Sequence, residues 1–158
     1  MGQGGQPLAG LPACHTIPAL AARPGMLRMH RAYFLIVTAL TEAGTGLLLL
    51  VWPPVLFALL LGVERPSPEA NLLARITGAA LLAIGVTCWL GRRDKDDPAR
   101  LGLITGVLLY DVAAAAILAH AGLFTGLVGI ALWPAVALHA TLAVWCAACL
   151  RESLREAS

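Results

Sequence analysis

The chain is 158 residues long, 59% hydrophobic and 13% charged, with a formal net charge of +2. Soluble domains carry about 25% charged residues, so this composition belongs in lipid and fits a single domain. The basic residues form no continuous run and no stripe interleaved with aromatics, which argues against nucleic acid as a partner.

Residues 1–25 are rich in Gly, Pro and Ala without a helical period, and a disordered extension is expected over residues 1–28. Met26 and Met29 stand just before the first apolar run. A start at either would place Cys14 and His15 outside the protein. A cleaved signal peptide competes for Met26 to Ala43. However, the run carries Glu42 and continues well past an h-region of about 7–15 residues, so an uncleaved helix is the better reading.

The first membrane helix is expected from Ala32 to Trp52, ended by Pro53 and Pro54. Val55 to Val63 is apolar but short of the roughly 20 helical residues a span requires, so it should lie at the interface or re-enter as a half-helix. A polar loop, ERPSPEA, leads to a second helix over Asn71–Leu90 and the charged turn GRRDKDDPAR. A third helix is expected over Leu101–His120, a short turn AGLFTG, and a fourth helix over Leu127–Leu150. The fold class is therefore all-α, an integral membrane four-helix bundle spanning residues 29–152, with residues 153–158 as a cytoplasmic tail.

Charge sets the orientation. Arg23, Arg28, Arg31, Arg92, Arg93, Lys95, Arg100, Arg151 and Arg155 fall on the side of the termini, and Arg65 alone on the other. The positive-inside rule then puts both termini in the cytoplasm of a bacterial inner (plasma) membrane, with Trp52 near the outer boundary and Trp89 and Trp145 near the inner one. Small residues at close-packing spacing, Gly102/Gly106, Ala74/Gly78 and Gly78/Gly85, support a compact bundle.

Each long apolar segment also carries one ionisable residue. Glu42, Asp111 and His139 should lie near the midplane, and Arg75 about 7 Å from it but within side-chain reach. A charge at such depth costs at least about 2.5–3.5 kcal/mol, so it marks a partner or a function. Charge matching pairs Glu42 or Asp111 with Arg75, while the other acid meets His139 or stays protonated. A neutral carboxyl beside a proton-accepting imidazole can move a proton at pH 7, which makes Glu42, Asp111 and His139 the candidate catalytic residues. Thr38 and Thr45 flank Glu42 on its helix face, and Asn71 lies one turn from Arg75; these four are candidate ligand-binding or ion-pair positions. The competing reading is plain interhelical hydrogen bonding, worth about 0.6 kcal/mol per bond. Tyr110 precedes Asp111 but points about 100° away, so the two are not expected to pair.

Cys146 and Cys149 form a CAAC on the last helix, with Cys88 at similar depth on the second. Buried apolar packing is their ordinary role; a redox or metal-handling role is the alternative, set against their place near the reducing side. No Walker loop, GxGxxG, HExxH or GxSxG is present, which excludes soluble nucleotide chemistry. No metal site and no cofactor is assigned.

The strings TEAGTGLLLLVWP from Thr41 and RITGAALLAIGVTCWLGR from Arg75 resemble the DoxX-like group of small bacterial four-helix membrane proteins. The resemblance covers about Arg31 to Leu150 and implies a four-helix bundle with cytoplasmic termini; it carries over no catalytic residues.

Three functions stay open. The first is binding of a small apolar molecule (lipid, quinone or terpenoid) over the Glu/Arg/Asp/His cluster, with isomerase- or cyclase-type acid–base chemistry. The second is a non-enzymatic accessory subunit, or a small proton-linked transporter, acting as a homo-oligomer or with a partner membrane subunit. The third is thiol chemistry through Cys88, Cys146 and Cys149.

Overall fold

The computed structural model describes residues 24–93 and 98–156, all in helices and short connections. Helix α1 spans Pro24–Val51, α2 Pro53–Leu61, α3 Pro68–Gly91, α4 Pro98–Phe124 and α5 Leu132–Glu156. The four long helices are each long and apolar enough to cross a membrane. The protein is an all-α membrane bundle with one short helix after the first span. Residues 1–23 and the 94–97 part of the charged turn lie outside the described residues; positions 24–28, expected within the extension, join α1.

The elements start and stop for local reasons. Trp52 leaves the helical region between α1 and α2, and Pro53 opens α2, where a missing backbone donor does no harm. Nine residues reach about 14 Å, so α2 cannot span. It ends on Gly62 in the left-handed region (φ 70°), with Gly62 N–H donating to Ala58 O and Val63 N–H to Phe57 O. Ser67 caps α3 by accepting from Ala70 N–H at 3.2 Å, with Pro68 in the first turn. α3 therefore begins three residues before the expected Asn71.

The last helix starts five residues later than expected. Gly126 turns the chain at φ 72°, and Ala131 N–H donates to Leu59 O at 2.8 Å, which ties the turn before α5 to the end of α2. Gly129 is obligatory there, because a Cβ would overlap Leu59 O and the Leu60 backbone.

The helices form two antiparallel pairs. α1 packs along its length against α3, and α4 against α5; the pairs meet through α1 and α5, while α3 and α4 barely touch. In the α1–α3 seam, Gly46 faces Gly78, and Gly85 sits against the backbone of Ala39 and Ala43. The Gly102/Gly106 pair packs against nothing: a Cβ at either meets no atom within 4 Å. It opens instead on the gap between α3 and α4.

Beside the seam, the core at the end of the bundle holding the termini contains Phe34, Leu35, Cys88, Ile104, Leu142 and Cys146. Phe34 meets Trp145 edge-on at 5.6 Å.

Candidate functional site

Residues 34/35, 38/39, 42, 46 and 49 of α1 are buried, a stripe at helical spacing that turns Glu42 into the bundle. The buried positions 100, 104, 107 and 111 do the same for Asp111 on α4. His139, on α5, comes from the third side. The three side chains converge: one donor atom from each lies within 4.8 Å of the other two. Glu42 is 1% and Asp111 0% exposed, so both carboxyls are sealed from the surroundings.

His139 Nδ1 sits 2.9 Å from Asp111 Oδ1, a contact that orients the imidazole. The second oxygen of each acid is left over. Glu42 Oε1 and Asp111 Oδ2 are buried without a hydrogen-bond partner among the described residues, and so is Thr38 Oγ1, one turn before Glu42 on the same stripe. Most other threonines of the described residues differ from Thr38 in this. Thr41, Thr77, Thr87, Thr105, Thr125 and Thr141 all close their hydroxyls onto the carbonyl four residues earlier.

Tyr110 belongs to the site by a route that adjacency on α4 does not show. Its ring meets the His139 ring edge-on at 5.6 Å, and Tyr110 stands close enough to Glu42 for the two side chains to interact. Tyr110 also lines a cavity of about 390 Å³ in the α3–α4 gap, with Ile84, Leu103, Gly106 and Val107. A second cavity, about 400 Å³ and almost wholly apolar, lies under α2 between Phe57, Leu73, Ala74 and Leu118. Tyr110 is thus the wall between the lipid-facing gap and the buried acids.

Arg75 is not part of this cluster. It projects to the surface of α3, where Nη1 donates to Leu50 O at 2.6 Å and satisfies a carbonyl at the end of α1. That carbonyl lies eight residues beyond Glu42, about 12 Å along the helix. A last-turn carbonyl without its own donor outcompetes a distant carboxylate. Neither acid meets an arginine or lysine in an ion pair among the described residues. Asn71 donates to Pro66 O and Ser67 O and so fastens the loop before α3. Thr45 is half-buried on α1, one turn past Thr41.

Cys88, Cys146 and Cys149 are buried and in no disulfide, and Cys146 Sγ donates to Ile104 O at 3.1 Å. They form no metal-sized group among the described residues. In a chain carrying Cys14→Ser, these three thiols are expected to resist a water-soluble maleimide until the protein is unfolded. Fast labelling of the folded protein, read by mass shift, would show an accessible thiol site instead.

What fold and site define together is an all-α integral membrane bundle with a buried carboxyl–carboxyl–imidazole cluster behind a lateral cleft. No family model, curated protein or solved structure matches the chain.

Proposed function

We propose that the protein binds a small apolar molecule in the α3–α4 cleft and performs acid–base chemistry on it with Glu42, Asp111 and His139. One observation carries the reading. Three ionisable side chains from three helices converge within 4.8 Å of one another, and Tyr110, whose ring meets that of His139, lines the neighbouring cavity of about 390 Å³. Pockets of roughly 300–1,000 Å³ with apolar walls and a few convergent polar groups suit lipid- or terpenoid-sized ligands.

The division of labour follows from the contacts. His139, oriented by Asp111, accepts a proton from the bound molecule, and Glu42, through its contact with Tyr110, returns one at a second position. The proton count is unchanged, as an isomerisation or cyclisation requires. The bias of basic residues toward the terminal side supports a bacterial inner-membrane protein with cytoplasmic termini. Kinship with the DoxX-like group is part of the same proposal and rests on the two strings quoted above.

Native mass spectrometry of protein released from detergent tests the binding. The wild type should retain an apolar adduct, and Gly106→Phe should lose it with no fall in thermal stability, because that side chain grows into open space. An adduct held equally by Gly106→Phe would remove the cleft from the mechanism. A second reading, assembly with another copy through the Gly102/Gly106 face, is favoured by the same open space. The spectrum separates the two, since it reads subunit count and bound mass at once.

A further inference from the structure

We infer that Glu42, Asp111 and His139 bind one divalent first-row transition-metal ion, Zn²⁺, Mn²⁺ or Fe²⁺, with Thr38 as a supporting oxygen. The site is built from three helices, and its donors already face one another. One atom from each residue lies within 4.8 Å of the others, and Asp111 Oδ1 and His139 Nδ1 are 2.9 Å apart. Donors bound at about 2.0–2.2 Å stand roughly 3.0–3.5 Å from each other, so an ion needs to draw the widest pair in by only about 1.5 Å.

The unpartnered atoms point the same way. Glu42 Oε1, Asp111 Oδ2 and Thr38 Oγ1 are all buried and without a hydrogen-bond partner among the described residues. Buried polar atoms are normally satisfied, and the two carboxylate orphans in the cluster, with a third one turn before Glu42 on α1, call for a partner. Thr38 makes the case sharper, because the six threonines named above satisfy themselves on their own helix.

Charge favours a dication. Two carboxylates and a neutral imidazole carry −2, and the guanidinium that charge matching offered, Arg75, is committed to Leu50 O. A divalent ion brings the site to neutrality in a medium that penalises net charge. The donor set selects the class of ion. One imidazole with two carboxylates suits first-row transition metals, whereas Ca²⁺ and Mg²⁺ prefer all-oxygen shells with more ligands. Three protein ligands also leave a coordination position open, as catalytic rather than structural metal sites do.

The inference shares its residues with the proposed function, and with the ion bound Glu42 and His139 would act as ligands and not as proton carriers; its experiment reads the metal directly. Full-length protein in detergent is stripped with a chelator and dialysed against Zn²⁺, Mn²⁺ or Fe²⁺ in turn, with metal content measured by mass spectrometry. One ion per chain is expected. Glu42→Gln and Asp111→Asn should each weaken binding by at least about 10-fold, and Cys146→Ser with Cys149→Ser should leave it unchanged. Wild-type protein that rebinds no stoichiometric ion overturns the site, as does binding that survives the Glu42→Gln, Asp111→Asn double variant.

Should the acid variants fail to fold, the wild type loaded with Co²⁺ decides. Absorption bands of oxygen and nitrogen ligation support the site, and thiolate charge-transfer bands overturn it. Protein that keeps its apolar adduct but takes up no ion disproves the metal site alone. Protein that takes up the ion but holds no apolar molecule leaves the metal site standing and removes the binding function.

Discussion

Gly78→Val is expected to lower stability by about 3 kcal/mol. A Cβ at this position would stand 2.7 Å from Gly46 O, 2.9 Å from Leu49 Cβ and 3.0 Å from Leu50 N. Two of those three atoms are backbone, which has no alternative rotamer to offer. α1 and α3 would have to separate, and overpacking of this kind costs about 1–3 kcal/mol even where side chains can adjust. The strain would also reach the hydrogen bond from Arg75 to Leu50 O, which closes the same end of the seam. The comparison that gives the result meaning is Gly102→Ala, whose added methyl meets nothing within 4 Å. Its thermal unfolding should match or slightly exceed the wild type, since alanine is the better helix former by about 0.5–1 kcal/mol. Equal destabilisation by the two substitutions would mean that the seam is not where the helices approach most closely.

These glycines show how far sequence pattern reaches. Gly102/Gly106 and Ala74/Gly78 carry the same small-residue spacing, and nothing local distinguishes the pair that packs from the pair that faces a gap. The difference is set by which helices become neighbours, a property of the whole bundle. The helices themselves are legible, because runs of about 20 apolar residues between charged turns have few alternatives in lipid. Their ends are less so. α5 begins at Leu132 and not at Leu127 because the turn before it is tied through Ala131 to Leu59 of α2, an element distant in sequence.

The site is legible in the same partial way. Depth along a helix follows from counting, so the amino-acid order alone places Glu42, Asp111 and His139 in one layer. Direction around a helix, and the reach of a long side chain, do not follow from counting. Charge attraction directs Arg75 to the cluster, yet a nearby unsatisfied carbonyl on α1 engages it. Tyr110 points away from Asp111, and on α4 alone that separates it from the acids. It reaches the site through Glu42 and His139 on two other helices. The orphaned hydroxyl of Thr38 has no sequence signature at all, since threonines on these helices commonly satisfy themselves.

Asp111→Asn is the second substitution with a large expected effect, and it acts on chemistry more than on folding. The asparagine oxygen can still accept from His139 Nδ1, so the contact that spans α4 and α5 at 2.9 Å survives. Even its complete loss would remove only about 0.6 kcal/mol, the usual worth of such a bond between membrane helices. Thermal unfolding in detergent should therefore stay within about 1 kcal/mol of the wild type. The imidazolium that forms when His139 accepts a proton, however, loses the carboxylate that stabilises it. General acid–base steps contribute about 10²–10⁴-fold, and a loss in that range is expected in conversion of the bound molecule, followed by mass spectrometry of the adduct over time. Asp111→Leu provides the contrast. It strands His139 Nδ1 in the core and should lower stability by about 1–3 kcal/mol in addition to the loss of conversion. The arrangement would be exposed as packing alone by an Asp111→Asn protein that folds and converts its ligand at the wild-type rate, because only the charge of the side chain separates the two.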